Sequence, residues 1–283
     1  MITGVYRFAG IPVQISTTCS YLHDRCAQYK SNEAPQVSAC VTPEDVAFER
    51  EMAQREAAAE KIPFRDFGTE TYEFTAAYHK LVEELAFYDV FLMHGSAIAV
   101  DGKSFLFTAK SGTGKSTHTR LWREYLVDRV IMINDDKPLL RIESAGQNID
   151  RFTSSKTSLS ASDKAPLPAS TTPLSSNGKR SVINVYGTPW DGKHQLSSNV
   201  HAPLGAICIL EQAANNQILR VKSSDVLPLL LQQTYRPRSA EALKYVIASA
   251  CQAFATTPVY RLRCNMDVSA AQIAYEALCS PGA

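Results

Sequence analysis

The stretch AKSGTGKST, residues 109–117, carries the clearest chemical signal in the sequence. It fits the pattern GxxxxGK[ST] of a phosphate-binding loop, with Ala109 in the place of the first glycine. Gly112 and Gly114 supply the turn, and backbone N–H groups at the start of a helix favour a bound phosphate. Ala109 suits such a loop if its backbone is still extended. We therefore predict a nucleotide site at this phosphate loop.

Each side chain of the loop has an expected part in that site. Lys115 is expected to reach the β- and γ-phosphates, and the Ser116 hydroxyl is expected to bind Mg²⁺. The predicted nucleotide-binding residues are Ser111, Gly112, Thr113, Gly114, Lys115, Ser116 and Thr117.

Two adjacent carboxylates follow the loop by about 20 residues, Asp135 and Asp136 in the stretch INDD. One carboxylate can hold Mg²⁺, and the other can accept a proton from an attacking hydroxyl. Adjacent side chains on a strand point to opposite faces, so both face the loop only if a turn begins here. A surface turn cap is the alternative interpretation. The phosphate loop upstream favours the functional one.

The elements that must position these residues are a hairpin, a helix and a buried strand. Asp-Gly between two apolar runs is a strong hairpin signal, because glycine tolerates the positive φ of the turn. The sequence predicts strands at 96–100 and 104–109, a helix at about 115–126, and a strand at 129–134.

The rest of the chain mixes helical and extended patterns. Further helices are predicted at 42–61, 71–93, 239–256 and 269–278, and further strands at 203–211, 218–222 and 258–264. Residues 144–180 are rich in Ser, Thr and Pro and predict a flexible insertion. The fold class is therefore α/β with a mixed sheet. We divide the chain into an N-terminal α+β region, residues 1–90, and a catalytic core, residues 91–283.

Composition excludes several classes of function. The chain has 283 residues, 45% of them hydrophobic, and a formal net charge of +1, so we expect no nucleic-acid partner. No apolar run has the roughly 20 residues of a membrane span, and no secretion signal is recognisable. Seven cysteines without paired CxxC spacing indicate free thiols in a reducing compartment. We expect a cytoplasmic protein that does not bind membranes.

The stretch HGSAIAVDGKSFLFTAKSGTGKST, followed by INDD, resembles the HPr kinase/phosphorylase family within the phosphoenolpyruvate carboxykinase-like group. The matching features are a histidine before the hairpin, His94, the loop SGTGKS, and the double aspartate. The resemblance covers about residues 93–137, and Ala109 departs from it. The family's later signature, which serves its phosphocarrier substrate, is not found. A homologue that phosphorylates precursor peptides, as in lasso-peptide pathways, is one candidate.

The resemblance implies an ATP-dependent kinase with Mg²⁺ and a hydroxyl acceptor, either a serine of a peptide or protein or a small metabolite. Asp135 would be the catalytic base, and Asp136 with Ser116 would hold Mg²⁺. Lys115 would neutralise charge during transfer, and His94 would support the aspartates or the phosphate. A homo-oligomer is also compatible with the resemblance.

The segment YGTPWDGKHQLSS, residues 186–198, is the predicted substrate site. Lys193 and His194 could bind an anionic group, and an exposed Trp190 could form an apolar wall. Arg236 could meet the γ-phosphate, with a simple salt bridge as the alternative for Arg236 and Arg238.

A function of a different class stays open. A regulatory NTPase or binding module would use the nucleotide only to change shape and would have no phosphoryl acceptor. The sequence alone does not separate it from the kinase.

Overall fold

The computed structural model of the protein describes residues 1–144 and 181–279. Within this part it has twelve strands and seven α-helices, which confirms the predicted mixture of α and β elements. The strands are β1 (Ile2–Phe8), β2 (Ile11–Thr17), β3 (Val37–Cys40), β4 (Val90–Leu92), β5 (Ser96–Val100), β6 (Lys103–Thr108), β7 (Val130–Asn134), β8 (Leu139–Ser144), β9 (Ser181–Tyr186), β10 (His201–Gln212), β11 (Gln217–Val221) and β12 (Val259–Cys264). The helices are α1 (Tyr21–Arg25), α2 (Pro43–Glu60), α3 (Thr69–Leu85), α4 (Lys115–Leu126), α5 (Ser223–Gln232), α6 (Ala240–Thr256) and α7 (Ser269–Cys279).

A mixed nine-stranded sheet forms the centre of the fold. Its path runs β4-β8-β9-β10-β6-β5-β7, and β12 pairs with both β10 and β11. Strand β10 is parallel to β6 and to β12, whereas its first residues pair antiparallel with β9. The predicted mixed sheet is therefore confirmed. The arrangement places the ends of β6 and β7, which precede the phosphate loop and the double aspartate, on either side of β5.

The predicted hairpin before the phosphate loop is confirmed. Strands β5 and β6 pair antiparallel up to Val100 and Lys103, and Asp101 and Gly102 between them have φ values of 51° and 79°. Two positive φ angles in a two-residue connection are typical of the hairpin turn that Asp-Gly favours. Helix α4 follows the loop at the predicted residues.

A smaller sheet, β1-β2-β3, lies in the N-terminal region. Helix α2 begins with a capping box, in which Thr42 and Asp45 bond each other's backbone N–H groups. Apolar residues of β1, β2 and α3 share one core cluster with Leu139 and Trp190. Residues from both predicted regions thus pack together, and the division at residue 90 remains a prediction.

One predicted helix is too long, and helix α5 of the structure has no counterpart among the predictions. The helix predicted over 71–93 ends at Leu85, and its last residues form the buried strand β4 instead. Asp89 has a left-handed conformation that ends the short 3₁₀ turn after α3 and turns the chain into the sheet. Helix α5, which contains Pro228, had no recognised signal. The insertion predicted at 144–180 lies outside the described residues, except for its first position.

No helix among the described residues has the length and apolar character needed to cross a membrane.

Candidate active site

A cavity of about 570 Å³ lies between the phosphate loop and the double aspartate. Its walls come from four parts of the chain that are far apart in sequence. The lining residues are His94, Ser111, Gly112, Gly114, Lys115, Ser116, Thr117, Asp135, Asp136, Gly192, Lys193 and His194. The structure therefore brings together most of the residues that the sequence marked as candidates, including Lys193 and His194 from the predicted substrate segment.

The phosphate loop is an open turn between β6 and α4. Gly112 and Gly114 have φ values of 76° and 112°, so both positions suit glycine. Gly114 is the N-cap of α4, which leaves the helix without a side-chain cap at the cavity. Ala109 is buried and has no positive φ, so alanine is tolerated there as expected. A helix N-terminus without a side-chain cap offers free N–H groups to an anion.

Lys115 occupies a buried position on the loop side of the cavity. Its Nζ donates a hydrogen bond of 3.2 Å to the carbonyl oxygen of Ala109. Burial lowers the pKa of Lys115, and the charges of Asp136 and Asp135 oppose that shift. The Lys115 charge and the two carboxylates line opposite sides of the cavity. A phosphate bound in the cavity would therefore lie beside a cation.

The double aspartate sits in a turn that Asn134 holds in place; we call residues 134–137 the acidic turn. The buried Asn134 side chain accepts hydrogen bonds from the backbone N–H groups of Asp136 (2.8 Å) and Lys137 (2.6 Å). Its amide nitrogen donates to the carbonyl oxygen and hydroxyl of Thr188. Sequence analysis missed Asn134, although asparagine is a frequent turn-forming residue. The turn is what allows both aspartates to line one cavity.

The two aspartates differ in their partners. Asp135 is buried, and its Oδ1 accepts a hydrogen bond of 2.6 Å from the Ser96 hydroxyl. Asp136 lies 3.3 Å from Nε2 of His94. Burial alone would raise the pKa of Asp136, but the hydrogen bond with His94 and the charges of Lys137, His94 and Lys115 hold it below its usual value. Asp136 is therefore ionised at neutral pH.

His94 is fixed by the elements on both sides of it. Its backbone N–H donates to the carbonyl oxygen of Gln233 at 2.7 Å, and its carbonyl oxygen accepts from the Thr108 hydroxyl at 2.8 Å. Its Nδ1 lies 3.0 Å from Oε1 of Gln233. Of the two roles that the sequence left open for His94, support of the aspartates or of the phosphate, the contact with Asp136 agrees with the first.

The turn at residues 192–195 closes the cavity opposite the loop. Lys193 and His194 are exposed on this turn and line the cavity. Gly192 has a φ of 69°, and a Cβ at this position would lie 3.2 Å from Cβ of Asp136. The turn therefore packs directly against the acidic turn.

Trp190 does not line the cavity, and the expectation that it is exposed is wrong. It is only 4% exposed and stacks on Tyr78 with ring centroids 4.1 Å apart. Its Nε1 donates to the carbonyl oxygen of Phe74 at 2.8 Å. Helix α3 supplies the aromatic surface that buries the indole, which makes Trp190 part of the core.

Arg236 is not brought to the cavity either. Met93 and Thr234 form an antiparallel bridge, so the chain after Thr234 runs back along β4 and away from His94. Arg236 is exposed there. Arg238 lies 3.4 Å from a carboxylate oxygen of Asp45, in agreement with the salt-bridge alternative.

A second cavity of about 390 Å³ opens on the other side of the phosphate loop. Its walls combine the loop with the last residues of β10, among them Leu210 and Gln212, and with Met266 after β12. His118 also borders it, but its side chain is buried and its Nε2 accepts a hydrogen bond from Trp122. Burial lowers the pKa of His118 to about 3, so this histidine is neutral.

The oxygen atoms in the first cavity fit Mg²⁺ bound together with a nucleotide. The described residues contain no group of three or more His, Cys, Asp or Glu side chains that could hold a metal by themselves. Ser116 and Asp136 both line the cavity and supply a hydroxyl and a carboxylate. Mg²⁺ commonly takes one or two protein oxygens and completes its shell with phosphates and water.

Comparisons with known proteins find only weak similarity to this chain. No protein-family model matches the chain, and no curated protein matches it. Among solved structures, it is similar to the HPr(Ser) kinase/phosphatase from Coxiella burnetii, with 10% sequence identity and a TM-score of 0.28. The alignment covers 67% of this chain and 99% of that chain. The likeness is weak and concerns the fold alone.

Proposed function

We propose that the protein is a kinase that transfers the γ-phosphate of ATP to a hydroxyl group, with Mg²⁺ as its cofactor. The observation that carries this proposal is the cavity in which a phosphate loop with a buried lysine faces two adjacent aspartates. Phosphoryl transfer depends mainly on positioning and on stabilising charge, and these residues supply both.

The nucleotide would bind with its phosphates along the loop. The free N–H groups at the start of α4 and the Lys115 ammonium group would neutralise phosphate charge. Ser116 and Asp136 would hold Mg²⁺, which shields the negative charge on the transferred group when it is bound. The second cavity shares Gly112, Gly114 and Thr117 with the first, so a nucleoside placed there would keep its phosphates over the loop.

Asp135 is the proposed general base. It lines the same cavity as the loop, and the Ser96 hydroxyl bonds one of its carboxylate oxygens. That bond orients the carboxylate, and the other oxygen is available to accept the proton of the acceptor hydroxyl. His94 would act indirectly, because it holds Asp136 rather than the reacting oxygen.

The acceptor would approach from the turn at residues 192–195. Lys193 and His194 are the proposed substrate-binding residues, since both are exposed and line the cavity opposite the loop. A serine of a peptide or protein, or the hydroxyl of a small metabolite, would satisfy this chemistry. The resemblance to precursor-peptide kinases makes peptides the first class to test.

The test is transfer of radiolabel from γ-labelled ATP, with Mg²⁺, to peptide, protein and metabolite acceptors. We expect a labelled acceptor with the natural protein and a loss of roughly 10²- to 10⁴-fold in transfer with Asp135→Asn. Nucleotide affinity should persist in that variant, because Asp135 does not belong to the loop. Asp128→Asn, at an exposed aspartate after α4, is the matched control.

A different result would contradict the proposed kinase activity. Steady hydrolysis of ATP that no acceptor changes, with no labelled product, would contradict the kinase. It would favour a regulatory NTPase that uses the nucleotide to change shape.

A further inference from the structure

The loop of residues 188–199, which carries Lys193 and His194, is anchored to the N-terminal region. Arg25, the last residue of α1, donates a hydrogen bond of 2.7 Å to the carbonyl oxygen of Pro189. The same guanidinium nitrogen forms a salt bridge with the Asp191 carboxylate. The other carboxylate oxygen of Asp191 accepts a hydrogen bond of 2.6 Å from the Ser197 hydroxyl. Arg25 thus holds one end of the loop directly, through Pro189 and Asp191, and the other end indirectly, through the bond between Asp191 and Ser197.

This ion pair differs from other arginine pairs of the N-terminal region. The side chains of Arg25 and Asp191 are 17% and 4% exposed, whereas those of Arg50 and Asp66 are 53% and 44% exposed. Exposed pairs contribute little because water and salt screen them. Removing one partner of a largely buried pair leaves the other charge uncompensated, so we expect the loss of either side chain to disturb the loop.

Two further contacts hold the same loop to the N-terminal region. Trp190 packs between aromatic residues of β1 and α3, including Phe8 and Tyr78. Near the end of the loop, the Asn199 amide donates to the carbonyl oxygen of Gln28 at 2.7 Å. The loop is therefore held at several points by residues that lie before position 80.

The same loop touches the acidic turn on its other side. The amide nitrogen of Asn134 lies 3.4 Å from the carbonyl oxygen of Trp190. Gly192, next to Asp191, has no room for a Cβ without crowding Asp136. Gly192 thus connects the position of Asp191 with that of Asp136, and Lys193 is the next residue in the chain.

We propose that Arg25 is a positioning residue for the transfer site, because it holds the turn at residues 192–195 against Asp136. This inference rests on the proposed function. Loss of the Arg25–Asp191 pair frees the turn, which displaces Lys193 and His194 from the acceptor, whereas Asp136 keeps its own contacts with Asn134 and His94. The phosphate loop has its own supports, among them the bond from Gln212 to the Thr113 carbonyl oxygen, so nucleotide binding does not depend on Arg25.

Hydrogen exchange of the full chain tests the inference without relying on activity. Arg25→Met and Asp191→Asn should each speed exchange at the hydrogen-bonded amides of Gln195 and Ser198 by at least about tenfold while leaving residues 109–117 unchanged. Arg50→Met, which removes an exposed pair of the same region, should change neither segment. In the transfer assay, Arg25→Met should lower kcat roughly 10- to 100-fold and change the nucleotide Kd less than about twofold.

A graded variant keeps the result interpretable if Arg25→Met does not fold. Arg25→Lys retains the charge on a shorter side chain, and we expect exchange and kcat between those of the natural protein and Asp191→Asn. Unchanged exchange at the Gln195 and Ser198 amides in both Arg25→Lys and Asp191→Asn would overturn the inference. Accelerated exchange in a protein that transfers no phosphate would instead leave Arg25 as the anchor of the turn and contradict only the kinase.

Discussion

The two walls of the candidate active site are held in different ways. On the loop wall, Ser111 and Gly112 are exposed, and Lys115 bonds the loop's own Ala109. In the part of the chain that the structure describes, no atom beyond the chain neighbours of Gly112 lies within 4 Å of a Cβ built on it. On the acidic wall, the Asn134 side chain alone bonds two backbone N–H groups and Thr188. The difference suits a site whose loop wraps a ligand while its carboxylates are preorganised. It predicts that a change on the loop wall leaves the stability of the fold nearly intact, whereas loss of Asn134, which holds the acidic turn, lowers it.

The largest effect is expected from Lys115→Ala on the loop wall. Loss of the ammonium group should lower transfer by about 10³-fold, because a main cation beside the transferred phosphate is removed. The free energy of unfolding should change by less than about 1 kcal/mol, since among the described residues the amine bonds only the Ala109 carbonyl oxygen of its own loop. Kinetics and urea unfolding measure the two effects, with the exposed Lys110→Ala as control. A large loss of stability would contradict the comparison.

Asn134→Ala on the acidic wall is expected to lower the stability of the fold. The backbone N–H groups of Asp136 and Lys137 would lose their acceptor, which should lower the free energy of unfolding by about 3 kcal/mol. Urea unfolding measures the loss. Asn199→Ala removes an exposed amide that donates to Gln28 and should cost less than about 1 kcal/mol. Equal losses in both variants would show that the acidic turn does not depend on Asn134.

A pH effect should come from His118, in the first turns of α4 below the loop. Its pKa in the folded protein is about 3, below the usual 6.5, so only the unfolded chain takes up this proton as pH falls. The stability that His118 contributes is therefore complete above pH 6.5 and is lost below it, by about 2 kcal/mol between pH 7 and pH 5. His118→Phe should flatten this part of the profile of unfolding free energy against pH. An equally steep profile in His118→Phe would contradict this assignment.

The smallest expected effect is a difference in the free energy of unfolding between alanine variants of two glycines, one on each wall. Gly112 and Gly192 both have positive φ, so alanine should strain either position by about 1 to 2 kcal/mol. At Gly192 the added Cβ also meets Asp136, whereas no such neighbour lies near Gly112. We expect Gly192→Ala to cost about 1 kcal/mol more in the free energy of unfolding than Gly112→Ala. Equal costs would mean that the turn at residues 192–195 can shift away from the acidic turn.

The features that sequence analysis predicted well are those fixed by neighbours in the chain. Asp101-Gly102 specifies its own hairpin turn, and Thr42 with Asp45 specifies the start of α2, because each signal acts within a few residues. The placement of the loop before a helix follows from Gly114 and Lys115 in the same way. Such signals need no knowledge of what packs against them.

The features that were missed depend on contacts between distant segments. Trp190 is buried because Phe74, 116 positions earlier, accepts the bond from its indole. Arg25 gains its partner Asp191 from 166 positions later. Polar and aromatic residue types alone do not distinguish such a core contact from a substrate contact, so the sequence suggests a substrate role for Trp190 and no role for Arg25.

The two tryptophans of the chain have a practical consequence that follows from where they lie. Trp122 is in α4, the helix that begins at the phosphate loop, and Trp190 precedes the turn against the acidic turn. Each tryptophan therefore belongs to an element that supports a different wall of the cavity. With Trp190→Phe the tryptophan emission comes from the helix behind the loop wall, and with Trp122→Phe from the core beneath the opposite wall. The order in which the two walls respond to a nucleotide can thus be timed by stopped flow without attaching a dye.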